Sequence, residues 1–128
     1  MDFLDKIKQK YGFTEDEIYT ILDFLDTYEW DITEENGLYN IYDKQCNTYD
    51  FDKNESLEVV FKRLFDRLFG YYTYDIEFED YADEEDKEYS MFLRLRFMDI
   101  LSIGEKANLL DDSERKVLEE SIEIVSEK

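Results

Sequence analysis

In the stretch NESLEVVFKRLFDRLFG, residues 54–70, the apolar side chains of Leu57, Val60, Phe61, Leu64, Phe65 and Leu68 recur at helical spacing between Asn54, a capping residue, and Gly70. Such spacing puts one continuous stripe on a helix, and a stripe this apolar must be covered by a core. The opposite face carries Lys62, Arg63 and Arg67. A basic amphipathic face can serve a membrane or a calmodulin-type partner. In a chain with so many acids, these three are expected to neutralise neighbouring carboxylates within the fold.

Other elements are arranged around this helix. FLDKIKQKYG aligns Phe3, Leu4, Ile7 and Tyr11 and stops at Gly12, a suitable residue for a left-handed C-terminal cap. Thr14 followed three residues later by Glu17 is a capping box, and Ile18, Ile21, Leu22 and Leu25 continue it as a second helix. From Trp30 to Asp52 the pattern changes to rough alternation of β-favouring residues, broken by the turn sequence EENG, which predicts two or three short strands. At the C-terminus, Asp111 and Asp112 are cap candidates. Val117, Leu118, Ser121, Ile122 and Val125 share one face there, with Glu119, Glu120, Glu123 and Glu127 toward solvent.

Residues 71–97, YYTYDIEFEDYADEEDKEYSMFLRLRF, admit two readings. Tyr72, Tyr74, Ile76 and Phe78 alternate with polar residues, and so do parts of Met91–Met98, so a hairpin would set Asp75 against Arg96 and Glu77 against Arg94. Its tip would expose Asp80, Asp83, Glu84, Glu85, Asp86 and Glu88 with only Lys87 nearby. The competing reading is one helix from about Asp83 to Ile103. That helix would place Arg96 on its apolar face, and the hairpin is the expected form. The expectation is therefore an α+β fold: a single domain over residues 1–128, an antiparallel sheet of about four to five short strands and about four helices.

Charge narrows the function. The chain has 35 acidic and 15 basic residues, a net charge of −20, yet 43% of it is hydrophobic and 17% aromatic. That apolar content argues against a disordered acidic tail. Nucleic acid and anionic membrane surfaces would be repelled, which makes a basic protein the expected partner. The two N-terminal helices invite a helix-turn-helix reading, but the second carries Glu15, Asp16, Glu17, Asp23 and Asp26 and no base, a face DNA would reject. MDFLDKIKQK lacks a signal-peptide core and no apolar run approaches a membrane span, so a cytoplasmic location is expected.

Catalytic and metal chemistry find little footing. With one cysteine and no histidine, a disulfide within the chain, a histidine-dependent triad and a zinc site combining the two are excluded, and Cys46 is expected as a partly buried free thiol. DFDKNESLEVVF begins like a calcium loop at Asp50, Asp52 and Asn54 but has Glu55 at the position of the required glycine and Phe61 at that of the closing glutamate. Asp75 with Glu85, Asp86 and Lys87 echoes the acid-then-ExK pattern of magnesium nucleases, without the basic face such enzymes need. A carboxylate pair for glycoside cleavage lacks an evident sugar cleft. No enzymatic activity, cofactor or metal is expected.

Alternate side chains on a strand stand about 6.6 Å apart and i, i+4 neighbours on a helix about 6 Å. The phosphates along a DNA strand are separated by roughly 6 to 7 Å, so a carboxylate array can match them. In size and composition, though through no alignable motif, the chain resembles the small acidic DNA-mimic proteins that phages and mobile elements direct against host nucleases, including anti-CRISPR and antirestriction proteins. That resemblance implies an inhibitor that blocks the nucleic-acid groove of a CRISPR effector or restriction enzyme. The composition, rich in Lys, Glu, Asp, Tyr and Ile with two alanines and no proline, suits an AT-rich bacterial or phage genome. The expected partner-binding set is Asp75, Glu77, Glu79, Asp80, Tyr81, Asp83, Glu84, Glu85, Asp86 and Glu88, joined by Glu119, Glu120 and Glu123. Two alternatives stand beside this: an immunity protein that neutralises a cognate nuclease toxin, and an acidic structural module with no electrostatic ligand.

Overall fold

A computed structural model describes residues 2–75 and 87–126. The chain divides into two compact units, Met1–Asp66 and Arg67–Lys128. It combines five α-helices with one three-stranded antiparallel sheet among the described residues, fewer strands than the pattern suggested.

In the N-terminal unit, α1 (Phe3–Tyr11) begins at Asp2, whose side chain accepts from the Asp5 N–H, and ends at Gly12 with φ 73°. Helix α2 (Glu15–Tyr28) opens on the expected capping box: Thr14 Oγ1 accepts from the Glu17 N–H at 3.2 Å, and Glu17 Oε1 accepts from the Thr14 N–H at 2.8 Å. Strands β1 (Trp30–Glu35) and β2 (Leu38–Asp43) form a hairpin that sets Glu35 opposite Leu38. The two-residue loop is Asn36–Gly37, both at positive φ, as a type I′ turn requires. A short β3 (Thr48–Tyr49) completes the order β1-β2-β3.

Aromatic rings fill the interior of this unit. Tyr11 stacks on Phe61 at 5.3 Å, Phe3 meets Tyr39 edge to face at 5.3 Å, and Phe24 contacts Trp30 at 5.8 Å. Asn40, buried on β2, fastens the following loop: its amide nitrogen donates to Phe51 O and Asn54 Oδ1, while its oxygen accepts from the N–H groups of Ile41 and Phe51. Helix α3 (Leu57–Gly70) starts two residues later than its expected span, because Ser56 Oγ accepts from the Val59 N–H and Asn54 is engaged by Asn40. The boundary between the units falls within α3.

In the C-terminal unit, α3 runs into a π-helical turn over Tyr71–Asp75, where Thr73 donates to Phe69 O. Helices α4 (Lys87–Lys106) and α5 (Asp112–Ser126) pack against each other. Asp111 Oδ1 accepts from the Glu114 N–H and Glu114 Oε1 from the Asp111 N–H, so a second reciprocal box starts α5. Arg115 bonds both Glu105 and Asp112, tying the end of α4 to the start of α5.

The expected 72–79/91–98 hairpin is not formed. Its second arm is the middle of α4, and the start of its first arm is π-helical; residues 76–79 lie outside the described residues. The helical reading holds because Leu93, Phe97, Ile100 and Ile103 recur at i, i+4, i+7 and i+10 and are all buried. Arg96 does fall on that face, buried, with its guanidinium 4.7 Å from the Phe92 ring centroid. An arginine can be accommodated there because its flat face stacks on an aromatic ring.

Candidate partner-binding surface

Charge is shared evenly between the units: residues 1–66 carry 17 acids and 7 bases, and residues 67–128 carry 18 acids and 8 bases. Many of the bases are held by carboxylates of the same unit. On α1, Lys6 reaches Glu34, Lys8 reaches Glu15 and Lys10 reaches Glu58. Lys44 pairs with Asp31, Lys62 with Asp66, and Arg63 grips both oxygens of Asp50 at 2.9 and 3.3 Å. In the C-terminal unit Arg115 serves Glu105 and Asp112, and Lys116 lies 4.0 Å from Glu120.

These contacts hold the charged forms in place. The Lys6 pKa is raised first by the hydrogen bond to the Tyr39 hydroxyl at 2.6 Å and further by Glu34. The Lys10–Glu58 hydrogen bond raises the lysine and lowers the carboxyl. Arg115 is raised by its bond to Glu105. As exposed pairs they add little stability, and they leave the net charge of −20 as it is. The expectation for Lys62 and Arg63 as internal neutralisers agrees with their pairing.

The expected partner-binding residues fall into two groups. Glu88 is exposed in the first turn of α4, and Glu119, Glu120 and Glu123 are exposed on α5, with Glu120 near Lys116. Glu119 and Glu123 are one turn apart, about 6 Å between their β-carbons. The backbone of Asp75 closes the π-helical turn instead of lying in a strand. Glu77, Glu79, Asp80, Tyr81, Asp83, Glu84, Glu85 and Asp86 lie outside the described residues.

The sequence reading missed a groove of about 460 Å³ in the N-terminal unit, where Glu34, Glu35 and Asp52 face one base, Lys53, with Tyr49 at the wall. The NG turn could have pointed to it, since it fixes β1 and β2 as the groove's frame. Cys46 is exposed in the β2–β3 turn, which corrects the expectation of a partly buried thiol. The turn is built locally: Asp43 Oδ1 accepts from the N–H groups of Gln45 and Cys46, so the thiol is not needed in a core. Desolvation acts to raise the Asp43 pKa, and hydrogen bonds from the Cys46 and Gln45 N–H groups and from the Trp30 and Cys46 side chains together outweigh it, leaving the carboxyl below its ordinary value.

The calcium-like stretch is occupied structurally, Asp50 by Arg63 and Asn54 by Asn40. Among the described residues no group of three or more His, Cys, Asp or Glu side chains is placed to hold a metal ion. No helix among them is long and apolar enough to cross a membrane. Compared with protein-family models, curated proteins and solved structures, the chain matches none of them.

Proposed function

We propose that this chain is a non-enzymatic inhibitor that enters the basic nucleic-acid groove of a nuclease or defence complex and presents carboxylates in place of phosphates. The observation that carries the reading is the pairing of surface cations: Lys6, Lys8, Lys10, Lys44, Lys62, Arg63 and Arg115 each bond a carboxylate of their own unit. Seven of the 15 bases are thus held by carboxylates within the fold of a chain whose net charge is −20. Such a field steers the protein toward a basic cleft and away from nucleic acid.

Exposed glutamates at one-turn spacing on α5 supply charge on a phosphate-like scale. A folded inhibitor loses less conformational freedom on binding than a disordered acidic tail would.

The test is capture from the cell that encodes the chain, with the bound protein identified by mass and then assayed for duplex-DNA binding. The reading predicts a basic nucleic-acid-binding protein whose DNA is displaced by this chain at stoichiometric concentration. Recovery of chaperones alone, or of a partner whose DNA binding is untouched, would remove it.

A further inference from the structure

The sheet of the N-terminal unit is occupied along one edge and open along the other. On the side of β2 that faces away from β1, Tyr39 exchanges two backbone hydrogen bonds with Glu55 at 2.7 Å, and Ile41 O accepts from the Asp50 N–H at 2.8 Å. The residues opposite them in the hairpin are Glu34 and Ile32. In an antiparallel ladder, residues directly opposite either bond each other or both point their backbone groups away. The N–H and C=O of Ile32 and Glu34 therefore point out from the free side of β1, where no backbone group meets them among the described residues. Such an edge is a template for one more strand.

Beside it, Leu4, Leu22, Leu25 and Ile32 line a cleft of about 210 Å³ whose charged lining residues are Asp2, Asp26 and Asp31. The cleft is smaller than an ordinary ligand pocket of roughly 300 to 1,000 Å³ and suits a single apolar side chain. Strand β1 itself carries Asp31, Glu34 and Glu35 and no base. Lys44 and Lys6 hold the first two in exposed pairs at 3.3 and 3.5 Å, contacts weak enough for a second cation to share, and Glu35 bonds no base among the described residues.

These acids oppose a second copy at the same edge. Because the outward groups belong to alternate residues, a twofold pairing of β1 with itself can be centred on Asp31, Ile32, Thr33 or Glu34. The first sets Asp31 against Asp31 of the other copy, the second Glu29 against Glu35, the third Asp31 against Glu35, and the last Glu34 against Glu34. Like charges directly opposite destabilise a strand pair, whereas a strand with bases at those positions reverses the sign of each contact.

We propose that the free edge of β1 takes up an extended segment of a partner protein, with lysine or arginine beside Asp31 and Glu35 and an apolar side chain in the cleft beside Ile32. Main-chain hydrogen bonds to Ile32 and Glu34 supply affinity, and the alternation of the two side-chain types sets the register. The edge and its own acids are all this needs, so it stands whether or not the partner's groove binds nucleic acid.

The test follows backbone amide exchange in the full chain labelled with 15N. The probe is a short end-blocked peptide of alternating valine and lysine; the controls are the same peptide methylated at its valine nitrogens and a valine–glutamate peptide. At saturation the valine–lysine peptide is expected to slow exchange at Ile32 and Glu34 about tenfold or more, while Thr33, whose N–H already faces β2, keeps its rate and neither control has an effect. Glu34→Pro removes an outward donor but no bond between β1 and β2, and should abolish most of the slowing at Ile32; Glu34→Thr loses the same carboxylate, keeps the donor and should retain it. If the thermal midpoint shows that the proline variant unfolds, the methylated peptide makes the same comparison on the unaltered chain. Equal slowing by the methylated peptide would show that no strand is added, and equal slowing by the valine–glutamate peptide that charge does not select the occupant. Slowing that follows protein concentration alone would assign the edge to a second copy. Each of these results overturns the proposal, as does exchange at Ile32 and Glu34 that no peptide changes.

Discussion

Asn40 is the residue on which the local order of the N-terminal unit most depends. Its side chain answers Ile41 N, Phe51 N, Phe51 O and Asn54 Oδ1 from a buried position. Asn40→Ala would leave several of those groups without a partner and should cost about 2 to 3 kcal/mol, read as a lower urea midpoint. Asp43 makes a prediction of opposite pH sense to a buried base. Its folded pKa lies below the ordinary value, so its contribution is present above the unfolded pKa and is lost as pH falls through the folded one. Asp43→Asn should therefore lower the thermal midpoint at neutral pH, and the gap from the parent should close as the solution is acidified below the usual aspartate range. A gap that widens in acid would show that the turn is held by something other than that carboxylate. Cys46, exposed in the same turn, should react with a thiol reagent in the folded protein and leave stability within about 0.5 kcal/mol.

At the scale of elements, α4 separates two sequence patterns by a simple mutational comparison. Leu93 is buried and Leu95 is 56% exposed. A strand would put both on one face, whereas the helix divides them. Leu93→Ala should cost about 2 to 5 kcal/mol and Leu95→Ala within about 0.5 kcal/mol in chemical denaturation; equal losses would contradict the helix. The same element shows why the sequence was only partly legible. Capping boxes, the Asn36–Gly37 turn and the stripe of α3 are local signals, each complete within a few residues, and each was readable. Residues 91–98 have apolar side chains on both sides of α4, so period 2 and period 3.6 fit nearly equally. What decided between them was Arg96, whose acceptance on the buried side depends on the Phe92 ring one turn away. Nor does sequence spacing show that Asn40 captures Asn54 and hands the α3 cap to Ser56, because that choice is made across 14 residues. Of the candidate site, the glutamates of α5 were readable from the pattern, while the acidic groove required the packing to be known.

For the whole molecule, charge is the governing property. Ten excess carboxylates in each unit repel one another, and the ion pairs of α1, α3 and α5 relieve only part of that field. Raising salt from about 10 mM to 150 mM shortens the screening length from about 30 Å to 8 Å. The thermal midpoint should rise across that range, and a fall would mean that attractive pairs outweigh net repulsion. The same charge is what the proposed function uses, and its most direct test is a pair of titrations on one basic target, with this chain and with duplex DNA, across a salt series. DNA releases condensed counterions, and its log affinity falls with log salt by about 0.9 per neutralised phosphate. Carboxylates on a folded protein condense fewer ions, so the chain's slope should be negative and shallower, with competition shifting in its favour as salt rises. A flat slope would contradict the claim that carboxylates stand in for phosphates, and a slope as steep as that of DNA would contradict the lower ion condensation expected of a folded surface.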